Sequence, residues 1–268
     1  MPQLCIHCLG SCEVPEADHV FPDSWYPDST PPTVQRWTAP SCPRCNRELG
    51  RLERDLLVRM ALCLDPHEPA SLGLAARVLR SFGLDAEGLS AGEQAKRDQL
   101  RLRIRMEIVP KSEAGSGRIP GLGPPSDDDV ESIPIPWAGL AIVGEKIARG
   151  CEYKYRNRRR FVMPPYAVGV SIRQSGALQE PFASAGRIID FGPGCQVRRI
   201  FFTEDPNTVW YFITIWNALH LHVRIEHHNA LAAAQREYRR CEGVLPRPGG
   251  AMQVSSYLQY LNIPDSQN

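Results

Sequence analysis

The segments CIHC at residues 5–8, DHVFP at 18–22 and CPRCN at 42–46 decide the fold of the N-terminal region. The two Cys-x-x-Cys pairs are 33 residues apart and can surround one tetrahedral Zn²⁺ with four thiolates. The predicted ligands are Cys5, Cys8, Cys42 and Cys45. A four-thiolate site is closed, so we expect this zinc to hold the fold and not to do chemistry. The alternative is a set of buried free cysteines. His7 and Cys12 are weaker ligand candidates, since Cys12 breaks the paired spacing.

Three residues beside these pairs suit phosphodiester hydrolysis. That reaction needs an activated water, a cation on the scissile phosphate and help for the leaving oxygen. His19 is a candidate base because a neutral imidazole can take a proton from water near neutral pH. Asp18 and Asn46 offer the oxygen ligands that Mg²⁺ prefers. Closing the zinc site would draw the Asp18–His19 strand against the start of the helix at Asn46.

The order CIHC, DHVFP, CPRCN resembles the zinc-knuckle branch of the HNH endonucleases over about residues 5–60. The resemblance implies a ββα-metal fold with His19 as general base. It also implies that Asp18 and Asn46 hold a catalytic Mg²⁺ or Mn²⁺. The alternatives are a structural histidine at 19, a capping or turn carboxylate at 18 and a simple helix cap at 46.

Two positions depart from that pattern or extend it. Many HNH sequences carry a middle asparagine about five residues before the second Cys pair, where this chain has Trp37. Another residue must then brace the loop that holds the candidate base, or the chain belongs to a branch without that asparagine.

Glu53 lies two helical turns after Asn46, about 10.5 Å along the axis, which is long for sharing one metal. Glu53 is instead a candidate to bind a water in the outer shell of the metal, or to form an ion pair with an arginine.

Basic residues form two candidate DNA-binding clusters. The first surrounds the start of the Asn46 helix and comprises Arg44, Arg47 and Arg51. Its alternative is a solvated face paired with Glu48 and Asp55. The second follows the linker and comprises Lys154, Arg156, Arg158, Arg159 and Arg160. An anionic ligand, a partner protein or an inert basic loop are the alternatives there.

Composition limits the class of protein. The chain has 268 residues, 43% hydrophobic and 23% charged, with a net charge of +1, so it is not a polycation that coats nucleic acid indiscriminately. Residues 136–268 nevertheless hold 16 Lys and Arg against 10 Asp and Glu. No apolar run is long enough to span a membrane, and no secretory signal is evident at the start. Nine cysteines with metal-type spacing favour the reducing cytoplasm.

The pattern predicts an α+β fold in four parts. An HNH module with its zinc covers residues 1–65, and helices follow over 66–108. A flexible linker rich in Pro, Gly and Asp covers 109–135. An α+β domain with an antiparallel sheet covers 136–268. The predicted helices start near Cys42 or Asn46 and cover about 70–82, 91–108, 137–155 and 230–241. The predicted strands are 167–173, 187–191, 196–203 and one long run over 209–226.

The leading hypothesis is a metal-dependent HNH endonuclease acting on DNA, with RNA not excluded. Residues 136–268 would recognise DNA, form a homodimer, or sense an activating ligand or partner. By analogy of architecture alone, the chain suits an effector of anti-phage defence. The rival hypotheses are a non-catalytic zinc-knuckle protein that binds nucleic acid and a secreted nuclease toxin.

Overall fold

The N-terminal region forms two short hairpins followed by a long helix. The computed structural model describes residues 3–82, 90–110, 131–155, 166–172, 185–202 and 208–227. Strands β1 (Gln3–Leu4) and β2 (Ser11–Cys12) pair antiparallel, as do β3 (Glu16–His19) and β4 (Thr38–Ser41). Helix α1 (Pro43–Ala61) follows at once. It begins where the sequence predicted but ends before the predicted stop at Asp65-Pro66, because its last turn tightens after Ala61.

Two further helices extend this region. Helix α2 (Leu74–Ser81) is shorter than predicted, because Pro69–Ser71 forms a separate 3₁₀ turn and Gly73, at φ +80°, starts the helix. Helix α3 (Ala91–Glu107) is confirmed close to its predicted span, and it begins with a capping box. The Ser90 hydroxyl accepts a hydrogen bond from the Glu93 amide, and the Glu93 carboxylate accepts one from the Ser90 amide. These bonds satisfy donors that a bare helix start would leave unpaired.

The two ends of the predicted linker lie side by side as a pair of short strands. Strands β5 (Val109–Pro110) and β6 (Glu131–Ser132) pair antiparallel. Residues 111–130 between them lie outside the described residues, as does the predicted helix at 230–241. Helix α4 (Trp137–Tyr155) then matches the predicted span.

The C-terminal region carries a five-stranded antiparallel sheet in the order β7-β11-β10-β9-β8. Its strands are β7 (Tyr166–Ile172), β8 (Arg187–Asp190), β9 (Gln196–Phe201), β10 (Thr208–Ile215) and β11 (Leu219–His227). The long run predicted over 209–226 is thus divided into a hairpin. Trp216 and Asn217 turn the chain with φ values of 54° and 55°, a combination typical of tight hairpin turns.

Helix α4 lies between the sheet and α1, and one hydrophobic core joins all three. Leu140, Val143 and Ile147 of α4 are fully buried in that core. Two glycines let α4 approach closely: a Cβ at Gly150 would lie 2.6 Å from a Val20 methyl, and one at Gly139 would lie 3.0 Å from a Leu52 methyl. The described residues of the predicted module and of the predicted C-terminal domain therefore pack directly together. The four-part division itself stays a prediction.

The fold is accordingly α+β, as predicted, with an antiparallel sheet in its C-terminal half. No helix among the described ranges combines the length and the apolar character that a membrane crossing requires.

Candidate metal centre and HNH-type site

The four predicted zinc ligands meet at the start of α1. Their sulfur atoms all lie within 4.8 Å of one another. Cys8 Sγ and Cys42 Sγ are 3.9 Å apart, close to the ~3.8 Å edge of a tetrahedron with ~2.3 Å Zn–S bonds. The first pair is shaped by a tight turn, in which the Leu9 amide donates to the Cys5 carbonyl at 2.9 Å. The donor set and its spacing therefore fit a zinc ion.

The four cysteines influence one another's ionisation. A side-chain hydrogen bond from Cys45 lowers the pKa of Cys5 to about 3, and the same contact raises the pKa of Cys45. Burial raises the pKa of Cys8, and the neighbouring Cys5 thiolate raises it further. One thiolate thus opposes the ionisation of the others, and a bound cation such as zinc would offset that repulsion.

His19 is the last residue of β3 and pairs with Thr38 of β4. Its side chain is 36% exposed, and its Nε2 is 4.0 Å from Asp23 Oδ1. The same oxygen accepts a hydrogen bond from Arg36 Nη1 at 2.6 Å. His19 Nδ1 is buried and has no hydrogen-bond partner among the described residues. Nδ1 is therefore closed to solvent in this arrangement, and Nε2 is the ring nitrogen beside Asp23. The sequence analysis did not identify Asp23, which lies four residues after His19.

Trp37 occupies the place of the asparagine that the HNH pattern leads one to expect. Its carbonyl accepts a hydrogen bond from the Val20 amide at 2.8 Å. Its ring contacts Tyr155 and Phe191 edge-to-face, with centroids 6.1 and 5.8 Å away. The loop between β3 and β4 is thus braced by the Trp37 backbone and by packing of its ring.

Asp18 points away from the surface, into the contact between β3, α1 and α4. Its side chain is only 7% exposed. His7 Nε2 donates to Asp18 Oδ2 at 2.8 Å, and Lys146 Nζ donates to Asp18 Oδ1 at 2.8 Å. Burial would raise the pKa of Asp18, but the hydrogen bond from His7 and the Lys146 charge outweigh burial and lower the pKa overall.

Glu53 shares the same lysine. Its buried carboxylate contacts Lys146 Nζ, so the predicted ion pair forms with a lysine of α4 and not with an arginine. Burial is the main reason why the pKa of Glu53 is raised, and the charge of Lys146 offsets only part of that effect. Asp18, Lys146 and Glu53 thus form a buried ionic triad. Lys146 and His7 were not identified as functional residues from the sequence.

Asn46 is placed apart from this triad. On the first turn of α1, its Nδ2 donates to Glu16 Oε2 at 2.6 Å, and its amide closes the helix start onto the Cys42 carbonyl. The structure therefore brings Asn46 to Glu16 and brings Asp18 to Lys146.

The residues predicted for Mg²⁺ or Mn²⁺ do not fit such an ion in this arrangement. Both Asp18 oxygens accept hydrogen bonds from cationic or ring N–H groups. Within the described ranges, the four cysteines are the only group of His, Cys, Asp and Glu side chains close enough to hold a metal. We therefore assign no chemical step to a divalent ion at Asp18. As ligands of Mg²⁺ or Mn²⁺, Asp18, Asn46 and Glu53 stay a prediction from the sequence.

The first basic cluster is exposed along α1. Arg44 pairs with Glu48 at 3.0 Å, whereas Asp55 pairs with Arg59 and Arg103. Arg47 and Arg51 are exposed on the same helix. In the second cluster, Lys154 lies at the end of α4. The remaining residues, Arg156, Arg158, Arg159 and Arg160, lie outside the described residues.

Comparison of the chain with family models, with curated proteins and with solved structures finds no match.

Proposed function

We propose that the chain is an HNH-type endonuclease that hydrolyses phosphodiester bonds in DNA. One observation carries the proposal: the β3–β4 hairpin and α1 form a ββα unit with the four cysteines at its base, and His19 lies on the first strand with its ring partly exposed. This is the arrangement that the resemblance to HNH enzymes implies. The function rests on that likeness of pattern and on the chemistry of the residues.

In this proposal His19 accepts a proton from the attacking water. The neutral imidazole has the proton affinity for that role near pH 7. Asp23, 4.0 Å from Nε2, would stabilise the imidazolium that results, and Arg36 holds the Asp23 carboxylate in place. The arginines of α1 lie on the same ββα unit and would neutralise backbone phosphates of the substrate.

The zinc holds the unit together. The Cys42–Cys45 pair caps α1, and the Ile6 amide donates to the Pro40 carbonyl at 3.0 Å, which ties the first pair to β4. The zinc therefore fixes β3 and its histidine against the helix. An effector role in anti-phage defence is part of the proposal only by analogy of architecture.

Plasmid cleavage tests this function. Supercoiled plasmid is incubated with the zinc-loaded full chain and Mg²⁺, Mn²⁺ or EDTA, beside His19→Ala and the exposed control His67→Ala. We expect nicking or linearisation that needs a divalent ion and falls at least ~100-fold in His19→Ala. Cleavage that survives in His19→Ala at the level of His67→Ala would contradict the proposal. Parallel incubations with single-stranded DNA and RNA define the substrate.

A non-catalytic zinc-knuckle protein that binds nucleic acid is the second candidate. The observation that favours it is the burial of Asp18 under Lys146, which removes a predicted metal ligand from the surface. This candidate predicts that duplex DNA binds through Arg47 and Arg51 with a steep salt dependence. It also predicts that no cleavage product appears with any divalent ion.

A further inference from the structure

Two arginines of the sheet contact Tyr155, the last residue of α4. The guanidinium carbon of Arg199 lies 4.8 Å from the centroid of the Tyr155 ring, and that of Arg187 lies 5.4 Å from it. Arg187 of β8 and Arg199 of β9 are direct partners in the strand register. Like charges directly opposite each other in a sheet are destabilising, so negative charge nearby would stabilise this pair.

The two arginines differ in how their charge is met. Arg199 Nε donates to Glu152 Oε1 at 2.8 Å, so a buried carboxylate offsets its charge. Arg187 is exposed, and within the described ranges its guanidinium contacts the Tyr155 ring and not a carboxylate. The charge of Arg187 is therefore available to an anion that approaches from solvent.

Aromatic rings adjoin these arginines. Phe201 is 45% exposed, and its ring centroid lies 5.8 Å from the Arg199 guanidinium carbon. The Tyr155 ring contacts the Trp37 ring edge-to-face. The Trp37 carbonyl in turn accepts from the amide of Val20, the residue after the candidate base. The arginine–aromatic cluster is thus in contact with the β3–β4 loop, and it comprises Tyr155, Arg187, Arg199 and Phe201.

We propose that the arginine–aromatic cluster binds a nucleic-acid strand whose bases are unpaired. Arginine forks match the geometry of phosphate groups, and unpaired bases stack on exposed aromatic rings. An acidic peptide would pair with Arg187 but has no flat bases to stack on Phe201. The bases of an intact duplex are already stacked on one another. The inference rests on the proposed function for its link to cleavage, and it deepens that function because it names single-stranded or locally opened nucleic acid as the partner.

Binding of a labelled single strand tests the proposal without cleavage. The zinc-loaded full chain is titrated into a fluorescein-labelled oligodeoxythymidylate of ~15 nucleotides. Mg²⁺ and Mn²⁺ are left out, and anisotropy is read at several salt concentrations. We expect Arg187→Gln to bind at least ~5-fold more weakly than wild type and to reduce the slope of log affinity against log salt by ~0.7.

Arg224→Gln is the matched control. Arg224 is exposed on β11, and its neighbour Val223 shares a row of the register with Tyr211 and Arg199. Successive side chains alternate between faces, so Arg224 lies on the other face of the same sheet. We expect Arg224→Gln to bind the strand as wild type does. Equal affinities of Arg187→Gln and Arg224→Gln would overturn the proposal.

A second variant tests stacking and does not depend on the arginines. Phe201→Leu keeps an apolar side chain at an exposed position but removes the ring on which a base would stack. We expect it to bind the oligonucleotide at least ~5-fold more weakly, with the salt slope unchanged. Binding equal to that of wild type would overturn the proposal.

Competition distinguishes a nucleic-acid strand from other anions. Unlabelled oligodeoxythymidylate should displace the labelled strand, whereas free thymidine monophosphate and poly-L-glutamate should not do so at the same concentration. Displacement by the free nucleotide would indicate a small-ligand site, and displacement by poly-L-glutamate would indicate a site for acidic proteins. Either result would overturn the proposal.

Failure of this inference can be told apart from failure of the proposed function. Unchanged strand binding by Arg187→Gln and Phe201→Leu, together with His19-dependent plasmid cleavage by wild type, rejects the arginine–aromatic cluster as a binding surface and keeps the nuclease. Weaker strand binding by both variants, with no cleavage by wild type under any divalent ion, keeps the binding surface and rejects the nuclease.

Discussion

Asp18 and His19 are neighbours on β3 but have different surroundings. His19 is partly exposed beside Asp23, whereas Asp18 is buried between His7 and Lys146. Successive side chains of a strand point to opposite faces, which accounts for the separation. The base and the carboxylate are therefore accessible to different partners, and only the base is available to solvent in this arrangement.

The triad predicts a large stability loss when Lys146 is replaced. In Lys146→Met without divalent ions, two buried carboxylates lose their shared cation, and we expect the free energy of unfolding to fall by ~3–5 kcal/mol. Urea unfolding followed by circular dichroism measures this. The exposed control Lys96→Met should change it by less than ~0.5 kcal/mol. A loss no larger than that of the control would show that the triad does not form.

The sequence analysis identified single residues better than their partners. The cysteine spacing alone predicted the sulfur cluster, because one tetrahedral ion fixes the distances between its ligands. Lys146 was missed, since its partners lie 128 and 93 residues away and helix periodicity placed it merely between apolar neighbours. For the same reason the sequence analysis predicted an outer-shell water or an arginine as the partner of Glu53, and not Lys146.

At the scale of elements, α4 is the piece that joins the ββα unit to the sheet. It contacts Val20, the residue after β3, through Gly150 and contacts α1 through Gly139, and it buries Glu152 fully against the sheet. There Glu152 accepts from Arg199 Nε at 2.8 Å and from the Tyr211 hydroxyl. Burial is the largest reason why the pKa of Tyr211 is raised, and the Glu152 charge raises it further.

The close approach of α4 to Val20 predicts a specific steric effect. In Gly150→Ala the new methyl would lie 2.6 Å from a Val20 methyl, and valine has few alternative rotamers. We expect a loss of ~1–3 kcal/mol in the free energy of unfolding. Gly50→Ala on α1 meets nothing within 4 Å and should instead stabilise by ~0.5–1 kcal/mol. Equal effects of the two substitutions would rule out the close contact.

Elements with strong local signals were predicted well. Helix α3, which starts with the Ser90 capping box, and helix α4 both formed close to their predicted spans. The β10–β11 hairpin was missed because β-branched and aromatic residues continue on both sides of Trp216-Asn217, and the turn contains no glycine or proline. The reversal there depends on tertiary packing of Trp216 against Trp25, with ring centroids 5.4 Å apart.

At the scale of the whole molecule, one core spans the described residues from the zinc region to the sheet. Trp216 Nε1 donates to the Trp25 carbonyl at 2.8 Å, across 191 residues of sequence. The shared core predicts one cooperative unfolding transition. Tryptophan fluorescence and far-ultraviolet circular dichroism should give coincident urea curves. Two separated transitions would instead support independent domains on either side of the linker.

Zinc should stabilise this whole unit. We expect one zinc per chain by elemental analysis, and Cys45→Ser should lose the metal. Because the cluster caps α1 and α1 packs on α4, loss of zinc should lower the unfolding midpoint of the entire chain. Cys63→Ser, outside the cluster and with its thiol bonded to the Arg59 carbonyl, should keep its zinc. Full zinc content in Cys45→Ser would contradict the four-cysteine site.

The most direct test of the proposed nuclease is plasmid cleavage by the wild-type chain beside His19→Ala. Zinc-loaded protein and supercoiled DNA are combined with Mn²⁺ or with EDTA. The proposed function predicts nicked or linear product from wild type with Mn²⁺ and a loss of at least ~100-fold in His19→Ala. Absence of product from wild type under any divalent ion, or cleavage that does not depend on His19, would contradict it.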